Sequence, residues 1–366
     1  MASGLSPSSD ETNLRVVALI DMDCFYVQVM QRQSFGTHWD RDSAPPCAVL
    51  QYTGGCIAVD YKARRFGVRK GLFKEEILRI CPEAKLFYVP QKNGKADLTI
   101  FRRASEQVFE VICERFGLVE KASIDEAFID ITEEALHLQQ VKNFQDTDKK
   151  TQTLDGDEEE ESIEELIISS NTLIVGIGDT GQIERHNTKI SGGGSLLTLY
   201  KAVKLLHELR KEIYERLSFQ CSCGIATNKM LAKLVCSFNK PNGQSLLPIC
   251  QTLPLLGRTR VESLRKFGGK FGRELRDIFQ INYVAEIGRI EPEDLVGRFG
   301  QQTAATLLKI GRGIDEEPVV NRTAAKSIGS SKDFIYTPLR NASDVEKWLA
   351  NICRDLRGRF EEERQK

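Results

Sequence analysis

No run of apolar residues approaches the roughly 18–20 that a membrane-crossing helix needs. The opening stretch, MASGLSPSSDETN, has neither the basic nor the apolar segment of a secretory leader, so none is expected. Cysteine is sparse, ten in 366 residues, which excludes a disulfide scaffold. Cys24, Cys56 and Cys236 sit in apolar runs, as buried free thiols do, and this points to a reducing compartment. Cys221 and Cys223 form a CxC pair with no second pair beside it. The four histidines (His38, His137, His186, His207) are scattered, so a zinc site is not expected. Net charge is also lacking, at −1 overall. Spread evenly, that balance argues against a nucleic-acid partner, which calls for a basic surface.

The charge is not spread evenly. Residues 146–165, DTDKKTQTLDGDEEEESIEE, carry ten acidic side chains and two lysines, a net of −8. The rest of the chain therefore stands at +7, which with −8 restores the total of −1. Such a segment buries too little apolar surface to fold alone and reads as an insertion. The remaining body is mildly basic, which leaves a nucleic-acid partner open.

The chain alternates strand-like and helix-like segments. LRVVALI (14–20) is a buried strand by length and composition, and it runs into the acidic DMD. Ala48–Tyr52 and Ile57–Val59 read as strands, and Glu75–Cys81 as a helix stopped by Pro82. Ala96–Phe116 reads as an amphipathic helix. ASIDEAFIDI reads as two short strands around an acidic turn. Ser195 to about Leu217 is expected to be helical, Phe219–Ile225 a strand, and Asn228–Phe238 a helix ended by NKPNG. Beyond Leu253 short helices are joined by glycine-rich turns. The chain closes in a charged helix. This order predicts an α/β palm-like sheet with helical appendages.

Four clusters carry possible chemistry. Asp21 and Met22 end one apolar strand, and Asp125 and Glu126 adjoin another. If those strands are neighbours, three carboxylates converge with the oxygen donors that Mg²⁺ prefers; the alternative is solvated turn acids. In YKARRFGVRK, Tyr61 and Arg64 share a helix face and suit a triphosphate, or else form a solvated basic helix with Lys70. Lys229 and Lys233 lie on one helix in reach of a phosphate backbone, and Lys240 at its end in reach of a terminal phosphate, or all three are simply in solvent. LRKFGGKFG (264–272) reads as a helix–hairpin–helix. There Gly268, Gly269 and Lys270 offer backbone N–H groups and charge to a DNA phosphate, or form an ordinary turn. From Arg258 to Asp277 seven basic residues face three acidic ones.

Taken in order, VVALIDMDCFYVQV, CAVLQY, IAVDYKARRFGV, GKADLTIFRRAS, KASIDEAFIDIT, FQCSCGIATNKMLAKLVCSFNKPNG, FGGKFG, GRGID and KSIGSSKDF resemble the Y-family of translesion DNA polymerases, its eta type most of all. The resemblance implies an α+β right-hand polymerase. It has a ferredoxin-like palm (14–25 and 84–245, with an acidic insertion at 134–194) and small fingers (26–83). A helical thumb with a helix–hairpin–helix (246–318) and a partial little finger (319–366) follow. It implies a nuclear enzyme that adds deoxynucleotides to a primer opposite damaged template bases, with low fidelity on normal DNA. The metal would be two Mg²⁺ ions, with Mn²⁺ able to substitute. Asp21, Asp125 and Glu126 match the family's metal-binding carboxylates, with Met22 lending its carbonyl. Cys24 and Phe25 would offer amides to the triphosphate. Tyr26 falls at the gate that excludes a 2′-hydroxyl, and Gln51 contacts the template base. Tyr61, Arg64 and Lys240 match the phosphate-binding trio. The implied partners are primer-template DNA and deoxynucleoside triphosphates, and no membrane. A sliding clamp and ubiquitin are expected only through a C-terminal region missing here.

The sequence departs from that pattern in places. Lys70 stands where eta-type members carry arginine, which keeps the charge and loses the planar fork. The little finger stops after its first strand and helix, so the chain reads as part of a longer protein. That truncation also motivates a second expectation, a catalytically weak or silent DNA-binding fragment.

Overall fold

In Val17–Met22 every residue except Asp21 is buried, as expected of a central strand flanked on both sides. The computed structural model describes residues 15–136, 163–177, 183–185, 194–322, 327–334 and 338–364. Its strands are β1 (Val17–Met22), β2 (Cys47–Leu50), β3 (Cys56–Val59), β4 (Lys85–Tyr88), β5 (Gln91–Lys92), β6 (Lys95–Ala96), β7 (Val119–Lys121), β8 (Glu126–Asp130), β9 (Thr172–Ile177), β10 (Ile183–Arg185), β11 (Cys221–Ala226) and β12 (Gln244–Leu246). The chain divides into two compact units.

The first unit comprises the described residues of Met1–Asp23, Val111–Leu118 and Asp125–Val319. Its strands run in the order β10-β9-β12-β11-β1-β8. β1 is antiparallel to both β8 and β11, whereas β11–β12 and β12–β9 are parallel. The helix Lys229–Cys236 packs on β11 so closely that only glycine fits at 224. A Cβ there would lie 2.1 Å from the carbonyl oxygen of Ala232. The long helix Gly194–Leu217 is pinned at its outer face by Arg115, which pairs with Glu208, and by Arg216 on Glu114. Short helices between Thr252 and Gly311 complete the unit.

The second unit comprises Cys24–Glu110, Val119–Ile124 and the described residues of Val320–Lys366. It has a three-stranded sheet, β3-β2-β4, over a core that includes Leu50, Val59, Val68 and Ile77. The Phe25–Phe35 helix belongs here, as does the β5–β6 hairpin. That hairpin receives the C-terminal part of the unit. Lys95 pairs with Asp355 at 2.6 Å, and Lys332 donates to the Gly94 carbonyl at 2.8 Å. The final helix, Ala342–Arg364, buries no residue fully and leaves Leu349 and Phe360 more than half exposed.

One expectation needs correction. Region 134–194 is not wholly an acidic insertion: Ile163–Ser169 is helical, and Thr172–Ile177 is a strand paired with β12 inside the sheet. The physical reason is local. TLIVGI is apolar and rich in β-branched residues, as a buried strand is, but only six residues, LIISSN, separate it from the most acidic stretch of the chain. The strongly acidic part up to Ser162, and residues 178–182 and 186–193, lie outside the described residues.

Candidate active site

The register of β1 with its neighbours sets the geometry. Asp21 sits directly across from Glu126 on β8 and from Ser222 on β11. Cross-strand partners hold their Cβ atoms about 5 Å apart on one face. The backbone N–H of Met22 donates to the carbonyl of Asp125 at 2.9 Å, which ties the acidic turn to the end of β1. The expected convergence of these two strand ends is therefore present in the backbone.

Two lysines meet these carboxylates. Lys240 Nζ lies 2.5 Å from Asp21 Oδ1, and Lys233 Nζ lies 2.7 and 2.8 Å from the two oxygens of Glu126. Burial pushes the Asp21 carboxyl up to about 6; the Lys240 ammonium opposes this, and the charges of Glu126 and Asp125 add to it. Burial works against the Lys240 ammonium, yet Asp21 outweighs it and the lysine is held above its ordinary range. Among the described residues no three His, Cys, Asp or Glu side chains are gathered as an ion-binding group. Hard carboxylate oxygens, crowded enough to repel one another and with Asp21 and Glu126 each met by an ammonium, are nonetheless a donor set suited to a divalent cation.

Asp23, the second acid of DMD, is not among the expected site residues. It is 2% exposed, accepts hydrogen bonds from Ser222 Oγ at 2.9 Å to each oxygen, and accepts from the backbone N–H of Asn242 at 2.8 Å. Burial raises its pKa, against the pull of the Asn242 N–H and Lys240. Its partners lie some 200 residues away, so only the alternation of DMD, with Asp21 and Asp23 on the same side, could have hinted at it. Cys221 and Cys223 are buried in β11. Burial pushes the Cys221 thiol up to about 12 and Cys223 well above its usual value, so both stay protonated.

The second unit carries the other expected nucleotide contacts. Cys24 takes a left-handed conformation (φ 41°, ψ 48°) as the chain enters the Phe25–Phe35 helix. Phe25 is buried, while Tyr26 is half-buried and packs on Phe101, with ring centroids 4.3 Å apart and the planes tilted by 41°. Gln51 is exposed at a tight turn, where its N–H bonds the Gly55 carbonyl. Tyr61–Arg65 is a helix capped by Asp60, whose side chain accepts from the Ala63 N–H. The Arg64 guanidinium lies 4.5 Å over the Tyr61 ring and donates through Nε to the Val59 carbonyl at 3.0 Å. This single bond leaves the two-nitrogen end of the fork for a phosphate. Lys70 is exposed.

The lysines expected to face DNA are redistributed. Lys229 was expected to meet a phosphate backbone; the structure corrects this, because it is 2% exposed and donates to Glu317 at 2.8 Å and to the Pro318 carbonyl at 3.2 Å. It follows the N-cap Asn228 on the inward face of its helix, where an ammonium persists only with a matched acid. Lys233, four residues on, is turned to Glu126. Gly268, Gly269 and Lys270 are exposed, at the start of the ten-residue helix Lys270–Phe279. Gly272 is buried behind them, where a Cβ would meet the Phe267 carbonyl oxygen at 1.8 Å.

Residues 20–237 match the model of the impB/mucB/samB family, and residues 259–314 match the helix–hairpin–helix motif described as DNApol eta/Rev1. The chain belongs to the Y-family of translesion DNA polymerases. The mixed α/β architecture fits that family's right-hand polymerase fold. Among curated relatives, the chain is 32% identical to DNA polymerase eta of Arabidopsis thaliana over 96% of its own length and 51% of that protein. It is 32% identical to DNA polymerase eta of Drosophila melanogaster over 95% of its length and 40% of that protein. It is 26% identical to DNA polymerase iota of Homo sapiens over 94% and 42%. The chain thus spans about half the length, or less, of these relatives.

Proposed function

We propose that this chain is the polymerising part of a translesion DNA polymerase, a nuclear enzyme that extends a primer with deoxynucleotides opposite damaged template bases at low fidelity. The observation that carries the reading is the strand register that sets Asp21 across from Glu126, with the Asp125 carbonyl tied to Met22. The family match supports it. Asp21, Asp125 and Glu126, with the Met22 carbonyl, are the residues to hold two Mg²⁺ ions, or Mn²⁺ in their place. When bound, such ions supply positive charge to the reacting phosphate and make the primer hydroxyl more acidic.

The protein's own groups do the rest. Lys240 exchanges Asp21 for the triphosphate, which keeps its ammonium paired throughout. Lys233 balances Glu126. In the second unit, the Arg64 fork and the Tyr61 hydroxyl bind phosphate oxygens, Cys24 and Phe25 offer backbone amides, and Gln51 and Lys70 meet the bases. Tyr26, packed on Phe101, is placed to exclude a 2′-hydroxyl. Gly268, Gly269 and Lys270 grip the DNA backbone without reading sequence. The division into palm, fingers, thumb and partial little finger at the boundaries given above, with Ile163–Ser169 and Thr172–Ile177 counted in the palm rather than in the acidic insertion, is part of this proposal. So are contacts with a clamp and ubiquitin through a further C-terminal region.

The test is primer extension by the purified chain, with Mg²⁺, on undamaged thymines and on a cyclobutane thymine dimer. Asp125→Ala combined with Glu126→Ala is expected to abolish extension and leave DNA binding intact; unchanged extension refutes the reading. A second reading, a catalytically silent DNA-binding fragment, is favoured by one observation: Lys233 and Lys240 already neutralise two of the three acids. DNA binding by the unaltered chain without any nucleotide incorporation at high protein concentration would establish it.

A further inference from the structure

The loop that delivers Lys240 is held on both sides of that residue by polar groups from three distant parts of the first unit. Before it, Asn239 Nδ2 donates to the Asn171 carbonyl at 2.7 Å and to the Gln244 carbonyl at 3.0 Å. After it, Asn242 makes three bonds at once. Its N–H donates to Asp23 Oδ2 at 2.8 Å, its carbonyl accepts from Asn171 Nδ2 at 2.9 Å, and its Oδ1 accepts from an Arg210 Nη at 2.8 Å. Arg210 spends its other nitrogens on the Cys221 carbonyl (3.0 Å) at the start of β11 and the Ser170 carbonyl (3.1 Å) just before β9. Asn171 and Asn242 both take left-handed conformations, φ 50° and 51°, which asparagine tolerates better than most residues.

We infer that Asp23, Asn171 and Arg210 are positioning residues for Lys240. Two buried charged groups are a costly way to brace a surface loop, since burying an ion pair rarely gains stability over apolar packing. What the frame delivers is geometry. Lys240 has a long flexible stem and one strong partner, Asp21 at 2.5 Å, so the ammonium's position depends on where the loop puts the Cα. The frame also gives a role to the segment just before β9, which supplies Ser170 and Asn171. The consequence for nucleotide binding rests on the proposed function, in which Lys240 meets the triphosphate.

Asn242→Gly is the informative variant. It keeps the left-handed backbone and the N–H to Asp23, and it deletes only the acceptor for Arg210. Two readouts separate the frame from the polymerase reading. In the free protein, acetylation of Lys240 by an amine-reactive reagent, followed by mass spectrometry, is expected to speed up several-fold, while Lys233 and the surface lysines keep their rates. In single-nucleotide incorporation the nucleotide KM is expected to rise roughly tenfold, the size of one hydrogen bond to a charged group, with kcat within about twofold. Asn242→Asp, which restores an acceptor for Arg210, should return both towards the unaltered values. Unchanged Lys240 labelling overturns the inference, as does labelling that rises equally at all lysines, because that reports general loosening. An unaltered chain that extends no primer overturns the polymerase reading alone; the labelling still decides the frame.

Discussion

Glu317 offers the sharpest test of the energetics. Its carboxylate accepts from buried Lys229 at 2.8 Å and from Lys266 at 2.8 Å, with Arg265 at 3.5 Å. Burial works to raise its pKa, but the hydrogen bonds and charges of Lys229 and Lys266 win and hold it at about 2, against an ordinary 4.5. A fully shielded group so displaced contributes roughly 3 kcal/mol. Glu317 is 34% exposed, and solvent screening cuts that to roughly 1–2 kcal/mol. Because the folded value is the depressed one, this stability is complete above about pH 4.5 and drains away as the pH falls towards 2. Glu317→Gln should therefore lower stability at pH 7 by roughly 2 kcal/mol, including the cost of stranding the Lys229 ammonium, which is 2% exposed. It should also flatten this group's share of the acid sensitivity. Adding Lys229→Met removes the stranded charge and should recover much of the loss, a coupling that a double-mutant cycle reads directly. Urea unfolding followed by circular dichroism at pH 7 and pH 3 measures all of this. A Glu317→Gln variant within about 0.5 kcal/mol of the parent at pH 7, the range of an ordinary surface change, refutes the reasoning.

Three further outcomes follow from the structure. Gly272→Ala should cost roughly 3 kcal/mol or more in thermal unfolding, because its Cβ meets the Phe267 carbonyl oxygen at 1.8 Å, whereas Gly269→Ala, with nothing within 4 Å, should be near neutral. Tyr26→Ala should relax ribonucleotide exclusion by roughly 100-fold and Phe101→Leu, which removes the ring Tyr26 packs on, by about 10-fold, measured as the ratio of kcat/KM for deoxy- and ribonucleotides; an unaltered ratio in Phe101→Leu means the contact does not position Tyr26. Lys270→Ala should weaken duplex DNA binding equally across sequences and reduce the salt-dependence slope by about one, as loss of a single phosphate contact does.

What the sequence made legible was governed by local pattern. β1 and β11 were readable because their apolar runs are long and end in marked residues. The pairing of β1 with β8 was only a condition in the sequence, suggested by two acidic turns of like character, and the register supplies it. Lys229 was misjudged because i, i+4 spacing tells which residues share a helix face, but not whether that face points inward. Its partner, Glu317, lies 88 residues downstream. The strand Thr172–Ile177 was hidden by the composition of its neighbourhood, although its own six residues are ordinary for a buried strand. The frame of Asp23, Asn171, Arg210 and Asn242 was beyond reach for a stronger reason. Each member is a common polar residue in an unremarkable local setting, and the bonds that define it span up to 219 residues.

These two kinds of legibility correspond to two physical jobs in the candidate site. Strand register places the carboxylate carbons, and alternation along a strand is written in consecutive residues. Charge is balanced by lysines, whose single-point ammonium can change partners without dragging the backbone along. An arginine fork on Asp21 would make a bidentate clamp that a triphosphate could displace only by breaking two bonds. A lysine carried on a rigid loop resolves the conflict between mobility and precision. The side chain can let go of Asp21, while Asp23, Asn171 and Arg210 keep its root in place. The precision is stored in buried polar groups set back from the Lys240 ammonium, and such groups leave no local mark in the sequence, whereas the acids and the lysine do.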